Sequence, residues 1–227
     1  MTIKIIKDLR HLFGPVRDQG QRPTCLAFAA SDAHAALRAP WAPLSCEYIF
    51  FHAQKRAGRT AKDGATLPSM LDALRHDGQP HEDGWPYLAA VTPDPAEWRP
   101  PGGVTELYRR AGEAGSDSVD AVIAELDQNR PVLILMRLSR SFDWIGADHI
   151  VDPAANEQPE YLRRHAVVAV GHGEAKGQRA VLVRNSWGPG WGDDGHGWLT
   201  ETFLKRRVFR IAVLKEDLSV SASKAAA

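Results

Sequence analysis

The sequence predicts an α+β fold with two lobes, because helical patterns fill its amino-terminal half and strand patterns follow in its carboxy-terminal half. The chain has 227 residues, enough to bury one substantial core or to divide it between two packed lobes. We expect a mainly helical lobe at residues 1–105 and a strand-rich lobe at residues 106–217. The small-residue tail at 218–227 is predicted to be disordered.

Three helices are expected in the amino-terminal half. The first covers residues 25–38, where small and apolar side chains recur at helical spacing before prolines stop it. The second covers residues 47–56 behind a Ser45 cap, and the third covers residues 67–75. Proline and glycine concentrate in residues 80–103, which predicts a surface loop that crosses between the lobes.

The carboxy-terminal half begins with a capped helix predicted over residues 117–128 and then turns to strands. Glycine turns separate the strand candidates, which are residues 132–136, 167–170, 180–183, 197–200 and 210–214. Residues 139–164 have mixed polarity and weak periodicity, so we expect a loop that overhangs a cleft.

Composition and charge exclude several classes of function. The formal net charge is +0, which argues against a broad electrostatic hold on nucleic acid or an anionic membrane. We see no stretch long and apolar enough for a signal peptide or a membrane span. Only two cysteines are present, so a disulfide framework is not expected and a cytoplasmic location is predicted; secretion with a removed signal is the alternative.

Cys25 is the candidate nucleophile. It follows a polar turn and begins an Ala-rich helix, where the positive end of the helix dipole favours a thiolate. Thr24 is a candidate cap for that helix start. The alternative is a buried, inert cysteine, which is the expectation for Cys46.

Two distant residues supply what a thiol nucleophile needs. His165 begins an apolar strand and can serve as the base that forms a thiolate–imidazolium pair, with His149 and His172 as weaker rivals. Asn185 can accept a hydrogen bond from that imidazole and orient it towards the thiol, and Trp187 can shield the bond from water.

Gln19 completes the catalytic set. It precedes the first helix at a distance from which its amide can point at the attacked carbonyl oxygen, together with the backbone N–H of Cys25. Taken alone, a glutamine in a glycine turn is usually only a turn residue. No close-spaced Cys/His ligand set is present, so neither a metal nor another cofactor is expected and a metal hydrolase is a remote alternative.

These residues resemble the papain-like cysteine peptidases, the C1 family, from residue 16 to about residue 214. The most specific match is Arg184-Asn185-Ser186-Trp187-Gly188-Pro189-Gly190-Trp191-Gly192. The other matching segments are residues 16–20, 24–28, 44–48, 63–70 and 165–173. The resemblance implies a helical lobe carrying Cys25, a β-barrel-like lobe carrying His165 and Asn185, and an extended substrate in the cleft between them.

The same resemblance implies a set of substrate-binding residues. Gly64 and Ala65 would pair with the peptide main chain, and Leu67 and Pro68 would shape the pocket for the residue second before the cut. Ile134 and Ala166 are candidates for the far wall of that pocket. Ala166 and Trp187 complete the predicted set.

The chain also departs from the family pattern. Arg22 stands where secreted members carry a cysteine, so that disulfide is absent. Pro23 and Thr24 replace the usual glycine and serine before the nucleophile, and Leu26 replaces the aromatic residue after it. Arg164 precedes the histidine, and its charge is expected to disfavour the imidazolium, which implies either a shifted pH optimum or an acidic substrate.

The predicted function is cleavage of protein or peptide substrates through a thioester on Cys25. Transpeptidation by the same thiol and a catalytically inactive peptide-binding module are the alternatives. Only about fifteen residues precede the matching region, so an inhibitory propeptide of the usual length is not expected. Narrow specificity, the 139–164 segment or a regulatory protein partner would then restrain the activity.

Overall fold

The computed structural model describes residues 3–91 and 94–219. Helices concentrated in the first half and an eight-stranded sheet built mainly from the second half confirm the predicted two-lobed α+β fold. Residues 220–227, most of the predicted tail, lie outside the described residues. None of the helices within the described residues combines the length and the apolar character that a membrane span requires.

The three helices predicted in the first lobe are all present. They are α1 at Cys25–Ala36, α2 at Cys46–Ala57 and α3 at Leu67–His76. Ser45 caps α2 as predicted, because its side chain accepts a hydrogen bond from the backbone N–H of Tyr48. The chain leaves α2 through Gly58, whose left-handed conformation (φ 61°) suits a glycine.

Three shorter helices lie in the second lobe: α4 at Val119–Asp127, α5 at Arg140–Asp143 and α6 at Glu201–Lys205. The first of these matches the helix predicted over residues 117–128 and is capped by Ser118. The helix α5 lies inside the segment that was predicted to be a loop. Two 3₁₀ turns, Arg10–Leu12 and Glu82–Gly84, complete the helical elements of the described residues.

The sheet has a linear strand order of β2-β8-β3-β5-β6-β7-β4, and β1 pairs with β5 beside this path. The strands are β1 Lys4–Asp8, β2 Arg110–Gly115, β3 Val132–Arg137, β4 Ile150–Val151, β5 Arg164–Ala175, β6 Gln178–Arg184, β7 His196–Thr200 and β8 Val208–Asp217. All five predicted strands are present, each as long as predicted or longer, while β1, β2 and β4 were missed. The pairing is antiparallel except between β4 and β7.

The strand β1 changes the predicted division of the chain. Residues 1–105 were assigned to the helical lobe, yet β1 pairs with β5 of the other lobe. Gly171 and Gly173 permit this, since a Cβ at either position would lie 2.4 Å or 2.2 Å from a backbone oxygen of β1. The beginning of the chain is therefore part of the sheet.

Side chains alternate between the two faces of the sheet and enter two separate cores. Leu135 and Ala166 on one face join a core shared with α1, α2 and α3. Ile134 and Val167 on the other face pack with residues of α4 and α6. The first of these cores holds the two lobes together below the cleft.

Candidate active site at the junction of the lobes

Cys25 is the first residue of α1, is half-buried and lines the cleft between the lobes. Its position at a helix start is as predicted, but the capping role of Thr24 was wrong. The Thr24 side chain makes no cap and instead lies 2.9 Å from the hydroxyl oxygen of Tyr87. The N–H groups of the first turn are therefore not capped by the Thr24 side chain, and the positive end of the helix dipole lies at the thiol.

His165 lies at the start of β5 and faces the same cleft from the opposite lobe. Its Nε2 lies 2.7 Å from Oδ1 of Asn185, which follows the end of β6. Both side chains are buried, at 6% and 1% exposure, so the hydrogen bond is shielded from water.

The contacts of Asn185 determine which nitrogen of His165 carries the proton. The Asn185 Oδ1 also accepts the backbone N–H of Ser186 at 2.8 Å, which identifies this atom as the oxygen. An oxygen facing Nε2 requires a proton on that nitrogen. In the neutral imidazole, Nδ1 is then the unprotonated nitrogen and is free to accept a proton.

Aromatic rings cover the His165–Asn185 hydrogen bond. The ring of Trp187, predicted for this position, has its centroid 4.9 Å from that of His165. Phe142 of α5, which sequence reasoning missed, lies 5.7 Å from His165 and 5.3 Å from Trp187. The indole of Trp191 donates to the Phe142 carbonyl at 3.0 Å and so anchors the segment that carries this ring.

Gln19 connects the nucleophile turn to the other lobe. Its Oε1 accepts the Ser186 hydroxyl at 2.6 Å, and its backbone N–H donates to the Ser186 carbonyl at 2.9 Å. Its Nε2 donates one hydrogen to the carbonyl of Arg22 at 2.8 Å, and the second amide hydrogen remains for another acceptor. Because Gln19 also lines the cleft, that hydrogen is available to a substrate oxygen.

The cleft has a volume of about 910 Å³ and brings together nearly all of the predicted site residues. Its lining includes Gln19, Cys25, Gly64, Ala65, Leu67, Pro68, His165, Ala166 and Trp187. Asn185 does not line it and instead contacts His165 from within the protein.

The prediction that Ile134 forms the far wall of the pocket was wrong. Ile134 points into the core on the other face of the sheet, and its neighbour Leu135 lines the cleft beside Ala166. A shift of one residue along a strand reverses the face that a side chain occupies. The predicted loop at 139–164 does border the cleft, through Leu162 and Arg163.

Burial shifts both titrating groups towards their uncharged forms. It raises the pKa of the Cys25 thiol, although the backbone amide of Ala166 acts in the opposite direction. Burial lowers the pKa of His165 to about 4, against the effect of the Asn185 hydrogen bond. Each group taken alone therefore favours a neutral thiol and a neutral imidazole, whereas the sequence led us to expect a thiolate–imidazolium pair.

The charge that lowers the pKa of His165 comes from Arg163, whereas the sequence suggested Arg164. Strand alternation explains the difference, because Arg164 is exposed while His165 is buried. Arg163 is itself paired with Asp143 at 2.8 Å.

Arg22, which stands where secreted members of the family carry a disulfide cysteine, forms a buried ion pair with Glu47. The guanidinium of Arg22 donates to both carboxylate oxygens of Glu47, at 2.5 and 2.9 Å. Glu47 also accepts the indole N–H of Trp98 at 2.6 Å and the backbone N–H of Leu88 at 3.1 Å. These contacts connect the turn before Cys25 to α2 and to the proline-rich loop.

Both cysteines are free, and Cys46 is fully buried. Burial raises the pKa of the Cys46 thiol to about 12, which makes it unreactive at neutral pH. Within residues 3–91 and 94–219, no group of three or more His, Cys, Asp or Glu side chains is placed to hold a metal ion.

Comparison with known proteins agrees with this geometry. The chain is 26% identical to Peptidase 1 of Euroglyphus maynei over 195 residues, which cover 84% of this chain and 59% of that protein. It is 28% identical to cathepsin K of Gallus gallus over 188 residues, covering 80% of this chain and 54% of that protein. The chain thus spans less than two thirds of the length of these curated relatives.

Solved structures show the same fold. Xylellain, a cysteine protease from Xylella fastidiosa, superposes with a TM-score of 0.73 at 23% identity, covering 95% of this chain and 86% of that one. Procathepsin L 3 of Tenebrio molitor larval midgut superposes with a TM-score of 0.69 at 20% identity, covering 90% and 68%. The family model described as papain family cysteine protease matches residues 6–204, and the chain therefore belongs to the papain family of cysteine proteases.

Proposed function

We propose that the protein is a cysteine peptidase that cleaves peptide bonds of protein or peptide substrates through a thioester on Cys25. The observation that carries the proposal is the 2.7 Å contact between His165 Nε2 and Asn185 Oδ1. It holds the imidazole in the tautomer whose Nδ1 can take the thiol proton. Cys25 and His165 line one cleft from opposite lobes, where an extended peptide can lie between them.

The first half of the reaction forms the thioester. His165 Nδ1 accepts the proton of the Cys25 thiol, and the sulfur attacks the carbonyl carbon of the scissile bond. Proton transfer creates opposite charges side by side, and their attraction offsets the cost of burying them. The free amide hydrogen of Gln19 and the backbone N–H of Cys25 stabilise the oxyanion, a contribution of about 2.7–4 kcal/mol for one such donor.

The second half releases both products. The tetrahedral intermediate collapses to the thioester as the leaving amine takes the proton from His165. His165 then accepts a proton from water, whose oxygen attacks the thioester carbonyl. The carbon–sulfur bond breaks, the acid product leaves, and the proton passes from His165 to the sulfur of Cys25. Water rather than an amine is the acceptor in this proposal, which therefore predicts hydrolysis and not ligation.

Two measurements test the proposal. A peptide library should be cleaved by the wild-type protein, with a mass gain of one water across the products, and should be untouched by Cys25→Ala. Iodoacetamide at pH 7 should modify Cys25 and leave Cys46 unmodified in the folded protein. Peptide cleavage by Cys25→Ala at the wild-type rate would refute the proposed role of this thiol.

We further propose a cytoplasmic location and a restrained activity. Two free thiols suit a reducing compartment. Leu162 and Arg163 of the 139–164 segment line the cleft, which supports selection of substrates or control by a partner protein. A net charge of zero supports partners other than nucleic acid and membranes. Rapid degradation of unfolded casein by the isolated protein would contradict the restraint.

A further inference from the structure

The charged residues that line the cleft all have the same sign. They are Arg59, Arg163, Arg164 and Arg210, and no aspartate or glutamate of the described residues lines the cleft. The whole chain has a formal net charge of +0, so this asymmetry belongs to the cleft and not to the protein. A cleft lined by one sign of charge concentrates ligands of the opposite sign.

Arg163 contributes least to this field, because carboxylates already compensate its charge. Its guanidinium lies 2.8 Å from an oxygen of Asp143 and 2.8 Å from one of Glu160. The charge of Arg59 is partly compensated. Its guanidinium donates to the carbonyl of Gly64 at 2.7 Å and lies near Asp63, whose pKa is lowered mainly by hydrogen bonds from Thr60 and in smaller part by the charge of Arg59.

Arg164 and Arg210 are the uncompensated pair. No carboxylate among the described residues forms an ion pair with either side chain, and both side chains are exposed. The Arg164 guanidinium carbon lies 5.7 Å from the centroid of the Phe209 ring, which precedes Arg210 in the sequence. Arg164 therefore lies beside an aromatic ring of the cleft lining, and Arg210, the next residue after that ring in the chain, lines the same cleft.

The strand register places these arginines beside the predicted pocket. Leu135 of β3 pairs with Ala166 on one side and with Arg210 on the other, so the three residues form a row across neighbouring strands. Arg164 lies two residues before Ala166 and therefore projects from the same face of β5. Leu67 and Pro68 border the same cleft from the helical lobe.

From this arrangement we propose that the enzyme selects acidic peptides, binding a glutamate or aspartate of the substrate through Arg164 and Arg210. The inference rests on the proposed peptidase activity and adds the substrate class. A guanidinium binds a carboxylate through two parallel hydrogen bonds, and the apolar floor of Leu135, Ala166 and Phe209 accepts the methylene groups of the same side chain. A lysine or arginine at that position meets repulsion and is disfavoured.

Matched peptides that carry glutamate, glutamine or lysine at each of the three positions before the cut test the proposal. We expect one position at which kcat/KM falls from glutamate to lysine by about two orders of magnitude, a difference that shrinks at high salt. The double variant Arg164→Glu with Arg210→Glu should reverse the preference. The control Arg206→Glu makes the same substitution at one exposed arginine outside the cleft and should keep the wild-type preference.

A second readout does not require peptide cleavage. Iodoacetate and iodoacetamide alkylate the same thiol, but only iodoacetate is an anion. We expect the rate of Cys25 alkylation by iodoacetate, divided by the rate with iodoacetamide, to fall by about tenfold in the double variant. The same ratio should stay unchanged in Arg206→Glu. The single variants Arg164→Gln and Arg210→Gln, expected to give smaller decreases, serve if the double variant does not fold.

The outcomes separate the two proposals. Cleavage of the glutamate and lysine peptides at equal rates, with an unchanged alkylation ratio, overturns the acidic-substrate inference and leaves the peptidase intact. Failure to cleave any peptide, combined with no reaction of Cys25 with iodoacetamide, overturns the proposed function itself. Reversal of the preference by Arg206→Glu as well would show that overall charge, and not the cleft, decides it.

Discussion

Asp32 of α1 and Arg184 at the end of β6 form a buried ion pair across the two lobes, with 2.7 Å between Oδ2 and Nε. Asp32 lies on the helix that begins with Cys25, and Arg184 directly precedes Asn185. The pair therefore fixes the thiol-bearing helix against the strand that carries the orienting amide. Arg17 reinforces it through Nη2, which lies 2.6 Å from Oδ1 of Asp32.

Replacing Asp32 should destabilise the protein strongly. Asp32→Asn leaves the buried guanidinium of Arg184 without a carboxylate and leaves Arg17 with Glu82 alone, and breaking such a buried pair costs about 3–5 kcal/mol. Urea unfolding measures the loss. The control Asp120→Asn removes an exposed partner of Arg179 and should change the free energy of unfolding by less than about 0.5 kcal/mol. Equal effects of the two variants would contradict the importance of burial.

Glu47 should hold the proline-rich loop in place. Glu47→Gln weakens the contacts to Arg22, Leu88 and Trp98, and we expect an unfolding cost of about 3–5 kcal/mol because the guanidinium is left buried. Limited proteolysis should cut between residues 80 and 103 faster than in the wild-type protein. Glu113→Gln, which loses only an ion pair near the surface, is the matched control. Unchanged proteolysis would show that the loop is held by other contacts.

The acid limb of the activity profile should report His165. The neutral imidazole is the form that accepts the thiol proton, and burial lowers its pKa to about 4. Asn185→Asp places a carboxylate against Nε2, which raises the pKa of His165 and should move the acid limb of kcat/KM to higher pH. Asn185→Ala should lower kcat/KM by about 10²–10⁴ without that upward shift. An acid limb that does not move in Asn185→Asp would exclude His165 as the group it reports.

Stability should decline in mild acid because His34 is buried. Burial lowers its pKa to about 3, and its Nε2 has no hydrogen-bond partner among the described residues. Between pH about 6.5 and about 3 the unfolded chain binds a proton that the folded chain does not, so the free energy of unfolding falls as the pH falls.

His34→Asn tests that dependence. In the wild-type protein His34 Nδ1 lies 3.0 Å from Gln79 Oε1. The asparagine amide keeps a polar group near that position, but it cannot take up a proton. Its unfolding free energy, measured in urea at several pH values, should fall less steeply than that of the wild-type protein. Identical slopes would assign the acid sensitivity to other groups, with His165 as the first alternative.

Local signals made much of the site predictable. A helix start at Cys25 and a strand at His165 each depend on a few neighbouring residues, and the order of the thiol, imidazole and amide is visible in the sequence itself. The helices α1 to α3 were predictable because their apolar spacing, and for α2 the Ser45 cap, are local features. By contrast, β2 consists of Arg110-Ala111-Gly112-Glu113-Ala114-Gly115, which has almost no strand propensity of its own and is formed by pairing with β8.

The sequence by itself determined the types of reactive groups, their order and the elements that carry them, since these follow from short-range chemistry. The tertiary structure decided which side chains share the cleft: Leu135 rather than Ile134 lines it, Phe142 covers His165, and Arg164 and Arg210 both line it. Each of these depends on which face of a strand points inwards or on which distant segment packs there. The long-range pairing of strands sets both, and no short window of sequence contains that information.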